Sequence, residues 1–202
     1  MKLWTLFIVS LIMLVGCSNV SSETITDENS KPDIATIEHV TAEMITYHHM
    51  YDNMDRGNHD YSDKTLAIES NVNTTDISRG DVISFENEEN DQDISRVVAL
   101  PGEKVKITKG QIYINGLKLD TFYGKAHRTG LDKENYFKKM DEAGSEYNEE
   151  AKNEIFELNM EEIELSDNEY YLIGDDWFRG KRIVVTEEQI IGKVMGYTNQ
   201  LN

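Results

Sequence analysis

The sequence predicts a mainly β domain of antiparallel strands with one inserted lobe that is acidic and partly helical. Short runs of β-branched and aromatic residues, separated by turn residues, dominate the chain after residue 80. Asn115-Gly116 between two of these runs is a strong signal for a two-residue hairpin turn. A charged stretch that is rich in Glu interrupts the runs over about residues 122–165.

Length and charge limit the number of domains and the kinds of partner. The 202 residues suit one domain with a leader and a tether, and they are enough to bury a hydrophobic core. The formal net charge is -18 at pH 7, and such a surface is repelled by phosphate backbones and by anionic lipid headgroups. We therefore expect no nucleic-acid partner and no binding of the protein surface to lipid headgroups.

Residues 1–16 have the features of a lipoprotein signal peptide. Lys2 supplies a positive start, the apolar stretch 3–15 is too short for a comfortable transmembrane helix, and Gly16 directly precedes Cys17. Lipid attachment at Cys17 after cleavage would hold the protein at the cell membrane, on its extracytoplasmic face. The alternative is an uncleaved signal anchor, which also places the body outside. Because Cys17 is the only cysteine, no intramolecular disulfide can form.

The segments behind the leader follow a simple order. Residues 17–33 are acidic and polar without periodicity, which predicts a solvated tether that carries no chemistry. The globular domain is predicted over residues 34–202. Its first segment, residues 36–51, fits both a helix and a strand, and the alternation at residues 43–47 favours the strand.

The remaining strands are predicted from apolar and β-branched runs between turn residues. Before the insertion these runs cover 66–68, 82–85, 96–100, 105–107 and 111–114. Inside the insertion Tyr147, Ala151, Ile155 and Leu158 recur at helical spacing, which indicates a helical or loop lobe there. After the insertion the runs cover 170–173, 183–185 and 191–197.

General motifs for phosphate or metal binding do not fit the chain. The segment 174–181 has one residue too many for a phosphate loop, and the hydroxyl residue that such a loop needs is missing. A calcium loop counted from Asp52 places Met54 and Arg56 at ligand positions. The histidines within residues 48–59 lack zinc-type spacing, so we interpret this stretch as a solvated polar loop and predict no metal and no cofactor.

Three blocks of sequence are informative because of their order. The first is Arg79–Phe85, with Arg-Gly-Asp-Val; the second is Arg96–Val105 followed by Tyr113–Gly116, with Leu-Pro-Gly at its corner. The third is Tyr171–Asp176 with the later strand Ile190–Val194. Each block alone would be only a turn before a strand. Together they resemble the family of bacterial signal peptidase I, a membrane-bound serine endopeptidase, and imply its antiparallel β fold.

The resemblance also implies a catalytic dyad, and both dyad positions hold another residue type. In the family a Ser in a Ser-Met-x-Pro segment attacks the peptide carbonyl, and a buried neutral Lys takes its proton. Here the nucleophile position falls on Asn53, and the lysine position falls on Ser95. The hydroxyl-bearing run that supports the lysine in the family is replaced by residues 177–182. We therefore predict an inactive protein that keeps the scaffold.

A retained scaffold implies a peptide-binding groove, which we place at Met54, Arg96 and Val97. An extended peptide would add along an exposed strand edge of this groove, and leader peptides or a sister signal peptidase are the expected partners. Two alternatives stay open. One is an active signal peptidase with a rearranged site, in which Ser62 or Ser95 is activated by a lysine; the other is a structural envelope lipoprotein.

Overall fold

The computed structural model describes residues 23–27, 30–148 and 154–199. The predicted leader and Cys17 lie outside the described residues, so lipid attachment stays a prediction. The strands and the helix, in chain order, are β1 (Thr24–Ile25), β2 (Met44–His49), β3 (Lys64–Glu69), β4 (Val82–Glu86), β5 (Gln92–Ala99), β6 (Lys104–Thr108), β7 (Gln111–Ile114), β8 (Leu117–Leu119), α1 (Lys133–Glu142), β9 (Met160–Glu164), β10 (Glu169–Ile173), β11 (Arg182–Thr186) and β12 (Ile190–Thr198). Short 3₁₀ helices lie at Thr74–Asp76 and Glu187–Gln189.

The strands of the described residues form two sheets. The larger has the order β11-β10-β5-β4-β12-β3-β2, and each neighbouring pair is antiparallel. The smaller has the order β1-β8-β7-β6-β9 and is antiparallel except between β1 and β8. The prediction of a mainly β, antiparallel fold is confirmed, and the segment that fitted both helix and strand contains β2.

Strand β5 contributes side chains to the interior on both of its faces. Because neighbouring residues on a strand point to opposite faces, Val98 packs with Ile107 and Ile112 of the smaller sheet, whereas Val97 packs with Phe85 and Leu172. Each such buried aliphatic or aromatic side chain stabilises the fold by roughly 1.5–3 kcal/mol relative to an exposed one. The position of β5 between the two clusters explains why its second half is almost completely buried.

The predicted hairpin turn connects β7 to β8. Asn115 and Gly116 have φ angles of 51° and 80°, as a two-residue turn between antiparallel strands requires. The side-chain oxygen of Asn115 also accepts a hydrogen bond from the backbone N–H of Lys104 at 2.9 Å. Asn115 therefore fits both the left-handed backbone and the adjoining end of β6.

The helical or loop lobe predicted within the insertion is described only in part, because residues 149–153 lie outside the described residues. The long helix is α1, which begins after Asp132, whose side chain accepts a hydrogen bond from the backbone of the first turn. Ala151 lies outside the described residues, and residues 154–156 make a short helical segment that buries Phe156 against Phe137 of α1, with ring centroids 5.6 Å apart. Within the described residues no helix is both long and apolar enough to cross a membrane.

The C-terminal end of the predicted insertion belongs to the smaller sheet. Met160–Glu164 forms β9, which pairs antiparallel with β6, and Lys104 lies opposite Glu164. Its sequence, Met-Glu-Glu-Ile-Glu, has too few apolar residues to signal a strand. Met160 and Ile163 pack on the core, because a register shift in the pairing places them opposite Ile107 and Val105 of β6.

Part of the predicted tether is also structured. Thr24 and Ile25 pair in parallel with Lys118 and Leu119 of β8, and a carboxylate oxygen of Asp27 accepts a hydrogen bond from the hydroxyl of Tyr123 at 2.7 Å. The expectation of a wholly solvated tether therefore does not hold for this segment. Two residues are too short a run to be recognised as a strand from the sequence.

Candidate functional site

The side chain of Asn53 joins the turn after β2 to strand β5. Its nitrogen donates to the backbone carbonyl of Ile94 at 2.8 Å and to a carboxylate oxygen of Asp93 at 3.2 Å. Its oxygen lies 2.8 Å from Nε2 of His49. Because both partners of the nitrogen are acceptors, the orientation of the carboxamide is assigned and Nε2 of His49 carries the proton. Asn53 is held on three sides and is only 7 % exposed.

His49 is buried and contacts the side-chain oxygen of Asn53. Burial lowers the pKa of His49 below the ordinary histidine value, and the hydrogen bond with Asn53 opposes this effect. The rings of Tyr47 and Tyr51 pack on His49 with centroid distances of 5.9 and 5.8 Å. The hydroxyl of Tyr47 donates to the backbone carbonyl of Gln92 at 2.6 Å. Tyr47 and Asn53 thus connect the β2 segment to β5 through side-chain hydrogen bonds.

Ser95, for which the sequence predicts the lysine position, lies on β5 directly after Ile94, whose carbonyl accepts a hydrogen bond from Asn53. It is opposite Ile83 of β4 and is 1 % exposed. Alternate residues of a strand share a face, so Ser95 lies on the same face as Asp93, the carboxylate partner of Asn53. Asn53 therefore binds the two residues of β5 that directly precede Ser95.

The predicted groove residues Met54, Arg96 and Val97 do not line an open groove. Met54 is 1 % exposed, Arg96 2 % and Val97 0 %. Met54 packs in the cluster that contains Leu66 and Ile94. Our placement of the groove on these three residues is wrong, because Met54 faces the interior of the protein and both faces of β5 are covered at Arg96 and Val97.

Arg96 instead makes a buried ion pair that joins the second and third sequence blocks. Its guanidinium donates to both carboxylate oxygens of Asp175 at 2.7 and 2.6 Å, and to the backbone carbonyl of Gly80 at 2.7 Å. Burial acts to lower the pKa of Arg96, but the adjacent Asp175 carboxylate raises it above the usual arginine value. The pair connects the loop after β10 to β5, the strand that carries the hydrogen-bond partners of the Asn53 nitrogen.

A second charged cluster surrounds Arg179 in the loop after β10. Its guanidinium lies 3.1 Å from Asp52 and 3.2 Å from Asp55, and 3.8 Å from Asp176. Potential ligand atoms of Asp52, Asp55 and His59 lie within 4.8 Å of one another. Arg179 already supplies a positive charge to these carboxylates. The interpretation of this stretch as a solvated polar loop is wrong for Asp55, which is 2 % exposed.

A cavity of about 710 Å³ opens beside Asn53. Met50 and Tyr51, which are 69 % and 64 % exposed, supply apolar surface to its lining. The charged side chains of the lining are Asp52, Glu89, Asp91, Asp93, Arg179 and Lys181. The sequence shows an acidic turn between β4 and β5, but it does not show that this turn shares a cavity with Asn53.

Comparison with known proteins identifies the family. The family model of signal peptidase, peptidase S26, matches residues 1–196. Signal peptidase I S of Bacillus subtilis strain 168 is 25 % identical over 101 residues, which are 50 % of this chain and 45 % of that protein, so the chain spans about half the length of that relative. A crystal structure of a signal peptidase I from Enterococcus faecalis V583 matches with 19 % identity and a TM-score of 0.38, over 58 % of this chain and 96 % of that chain. Because the family model spans nearly the whole sequence, the chain belongs to the signal peptidase family, peptidase S26.

Proposed function

We propose that this protein is a member of the signal peptidase family that does not cleave peptides. It is anchored by a lipid on Cys17 at the extracytoplasmic face of the cell membrane, where it binds leader peptides or modulates protein export. The observation that carries the proposal is the state of Asn53, which the family resemblance puts at the nucleophile position.

Asn53 has neither the chemistry nor the freedom of a nucleophile. The lone pair of a carboxamide nitrogen is delocalised into the carbonyl, so it does not attack a peptide bond as an activated hydroxyl does. The nitrogen also donates two hydrogen bonds, to Ile94 and Asp93, and the oxygen faces His49. Attack on a substrate would require these bonds to break without a gain in reactivity.

Ser95 cannot supply the missing base. The hydroxyl of a serine does not hold the proton that a neutral amine accepts near neutral pH. The carboxylate of Asp93, on the same face of β5, already accepts hydrogen bonds from Asn53 and from the backbone N–H of Ile94. The site therefore holds side chains that stabilise structure where the family scheme needs proton transfer.

The arrangement gives no support to a rearranged serine peptidase. Ser62 hydrogen-bonds to the carboxylate of Asp52, and this bond is the largest cause of the lowered pKa of Asp52. A carboxylate with a lowered pKa is a weak base, so it does not activate the hydroxyl. Ser95 is 1 % exposed on a central strand, where an incoming peptide carbonyl does not reach it.

The test is an assay of the full protein in detergent for both cleavage and binding of a leader peptide. We expect mass spectrometry to show no cleavage above background and calorimetry to show saturable binding. Cleavage that disappears in Ser62→Ala or Ser95→Ala would overturn the proposal in favour of an enzyme. No cleavage together with no binding would leave the structural envelope lipoprotein.

A double change provides a matched control for the missing dyad. Asn53→Ser together with Ser95→Lys restores both groups of the family scheme, whereas either change alone leaves one absent. We expect the two single variants to stay inactive. The double variant is the only one of the three for which turnover is chemically reasonable, even though residues 177–182 lack the family's support for the lysine.

A further inference from the structure

The first half of β5 has a strand edge beside which no other strand lies. Strand β10 pairs with β5 at Arg96, Val97 and Ala99, whereas β4 pairs with the whole segment from Gln92 to Arg96 on the opposite edge. Among the strands of the described residues, none covers residues 92–95 on the β10 side. Such an edge offers backbone donors and acceptors to an extended peptide.

Side chains of the protein itself form hydrogen bonds with the backbone groups of this edge. Tyr47 donates to the carbonyl of Gln92 at 2.6 Å, and Asn53 donates to that of Ile94 at 2.8 Å. The N–H of Ile94 donates to its neighbour Asp93 at 2.8 Å. The two carbonyls belong to alternate residues and so point the same way, toward the side chains of Tyr47 and Asn53 that line the cavity. Single side-chain hydrogen bonds protect the edge where a strand is missing.

The cavity outside this edge carries an excess of negative charge. Its carboxylates are Asp52, Glu89, Asp91 and Asp93, and its cations are Arg179 and Lys181. Arg179 is bound by Asp52 and, outside the lining, by Asp55. Glu89 and Asp91 are exposed and make no ion pair within the described part of the chain.

The lining therefore matches a side chain that is apolar along its length and positive at its end. Lysine and arginine have an aliphatic stem that packs on apolar surface and a cationic head. The exposed Met50 and Tyr51 offer surface for the stem, and the carboxylates of the acidic turn offer complementary charge for the head.

We propose that this cavity binds an extended peptide segment that carries a lysine or an arginine. The backbone N–H groups of the peptide donate hydrogen bonds to the carbonyls of Gln92 and Ile94. These bonds replace the ones that Tyr47 and Asn53 donate in the free protein. The cationic head of the peptide contacts Glu89 and Asp91. This inference rests on the peptide binding in the proposed function and adds the chemistry of the ligand and the way in which the closed edge opens.

The charge arm of the test uses two extended leader-type peptides that differ at one position. One peptide has lysine there, and the other has glutamine. Calorimetric titration of the full protein in detergent should show about tenfold tighter binding of the lysine peptide. The variant Glu89→Gln/Asp91→Asn should abolish this preference. Its matched control is Glu161→Gln/Glu162→Gln on the exposed strand β9, which removes the same charge from the other sheet and should keep the preference.

The edge arm uses Tyr47→Phe, which removes one competitor for the β5 carbonyls and keeps the ring against His49. We expect both peptides to bind about fivefold more tightly to this variant, because the peptide no longer displaces a hydrogen bond. The control is Tyr113→Phe on β7 of the smaller sheet, which should bind as the wild type does. Circular dichroism checks that each variant is folded.

Each outcome separates this inference from the proposed function. Equal affinity of the wild type for the two peptides, or a preference that survives the Glu89/Asp91 change, overturns the basic-peptide site while peptide binding stands. Unchanged or weaker binding to Tyr47→Phe overturns the exchange at the strand edge. Failure of both peptides to bind both the wild type and Tyr47→Phe overturns the inference and the peptide-binding part of the proposed function together.

Discussion

The assignment of Asn53 and Ser95 to the dyad positions stays a prediction from the sequence, and their surroundings could not be predicted at all. Ser95 directly precedes the block that contains Leu-Pro-Gly, whereas Asn53 was assigned from the segment 53–56, which has no proline to fix its register. The partners of Asn53, which are His49, Asp93 and Ile94, come from two strands that are not neighbours in the sheet. No local pattern predicts such a meeting, because it depends on the order of strands.

The misplaced groove residues have the same physical cause. Alternation along a strand tells which residues share a face, but it does not tell whether each face is covered. Arg96 would be expected at a surface because buried charges are costly. Asp175, which lies 79 positions away in the sequence, makes its burial possible.

The buried pair of Arg96 and Asp175 leads to a stability prediction. Arg96→Met leaves the Asp175 carboxylate buried without its partner, so we expect the free energy of unfolding to fall by about 3–5 kcal/mol. Urea denaturation measures the change. The control is Lys104→Met, which removes an exposed pair with Glu164 at 3.5 Å and should cost less than about 1 kcal/mol. Equal losses in the two variants would contradict the importance of the pair.

His127 leads to a prediction for the dependence of stability on pH. Burial, followed by the nearby charge of Arg56, lowers the pKa of His127 to about 4, against about 6.5 in an unfolded chain. Between these values the unfolded state binds more protons, so stability falls as the pH decreases through this window. Over the whole window His127 accounts for at most about 3 kcal/mol.

Urea denaturation at about pH 7 and about pH 5 tests this contribution. We expect His127→Gln to lose less stability than the wild type between the two conditions. His49, whose pKa burial also lowers, remains in both proteins and contributes in the same direction. Identical losses in the two proteins would show that His127 is not the group that titrates.

At the scale of elements, strands with an apolar face were predictable, whereas the two edge strands of the smaller sheet were not. The runs that became β4, β5, β7 and β10 carry several β-branched or aromatic residues in succession. In β9 three of five residues are glutamate, and β1 has only two residues. Both of these strands lie at the edges of the smaller sheet, where pairing on one side suffices and the apolar signal is weak.

Close contact between two glycines positions the loop that carries Arg179. A methyl group on Gly180 would lie 2.6 Å from the Cα of Gly174 and 3.1 Å from the backbone oxygen of Asn53. We expect Gly180→Ala to lower the free energy of unfolding by about 1–3 kcal/mol, because backbone must move to admit the methyl group. Thermal denaturation measures it.

Gly144→Ala is the comparison for this prediction. A methyl group on Gly144 meets no atom within 4 Å, and only its φ of 61° opposes the change. The cost should be about 1 kcal/mol. Crystals of Gly180→Ala should in addition show a displaced Asn53 backbone, whereas an unmoved site would contradict the role of the glycine contact.

For the whole molecule, the lipid anchor is the property that a single change tests best. Cys17→Ala removes the thiol that the prediction requires for lipid attachment, so we expect loss of lipid labelling and accumulation of the unprocessed precursor. Metabolic labelling with a fatty acid and partition into detergent measure both effects. Normal processing and labelling in this variant would contradict the lipoprotein prediction.

The pairing of Thr24–Ile25 with β8 sets how far the domain can stand from the membrane. Thr24 comes seven positions after Cys17, and seven residues span at most about 25 Å when fully extended. If a lipid is attached to Cys17, Thr24 therefore lies within about 25 Å of the anchor, and the edge of the smaller sheet that holds β1 stays near the membrane surface.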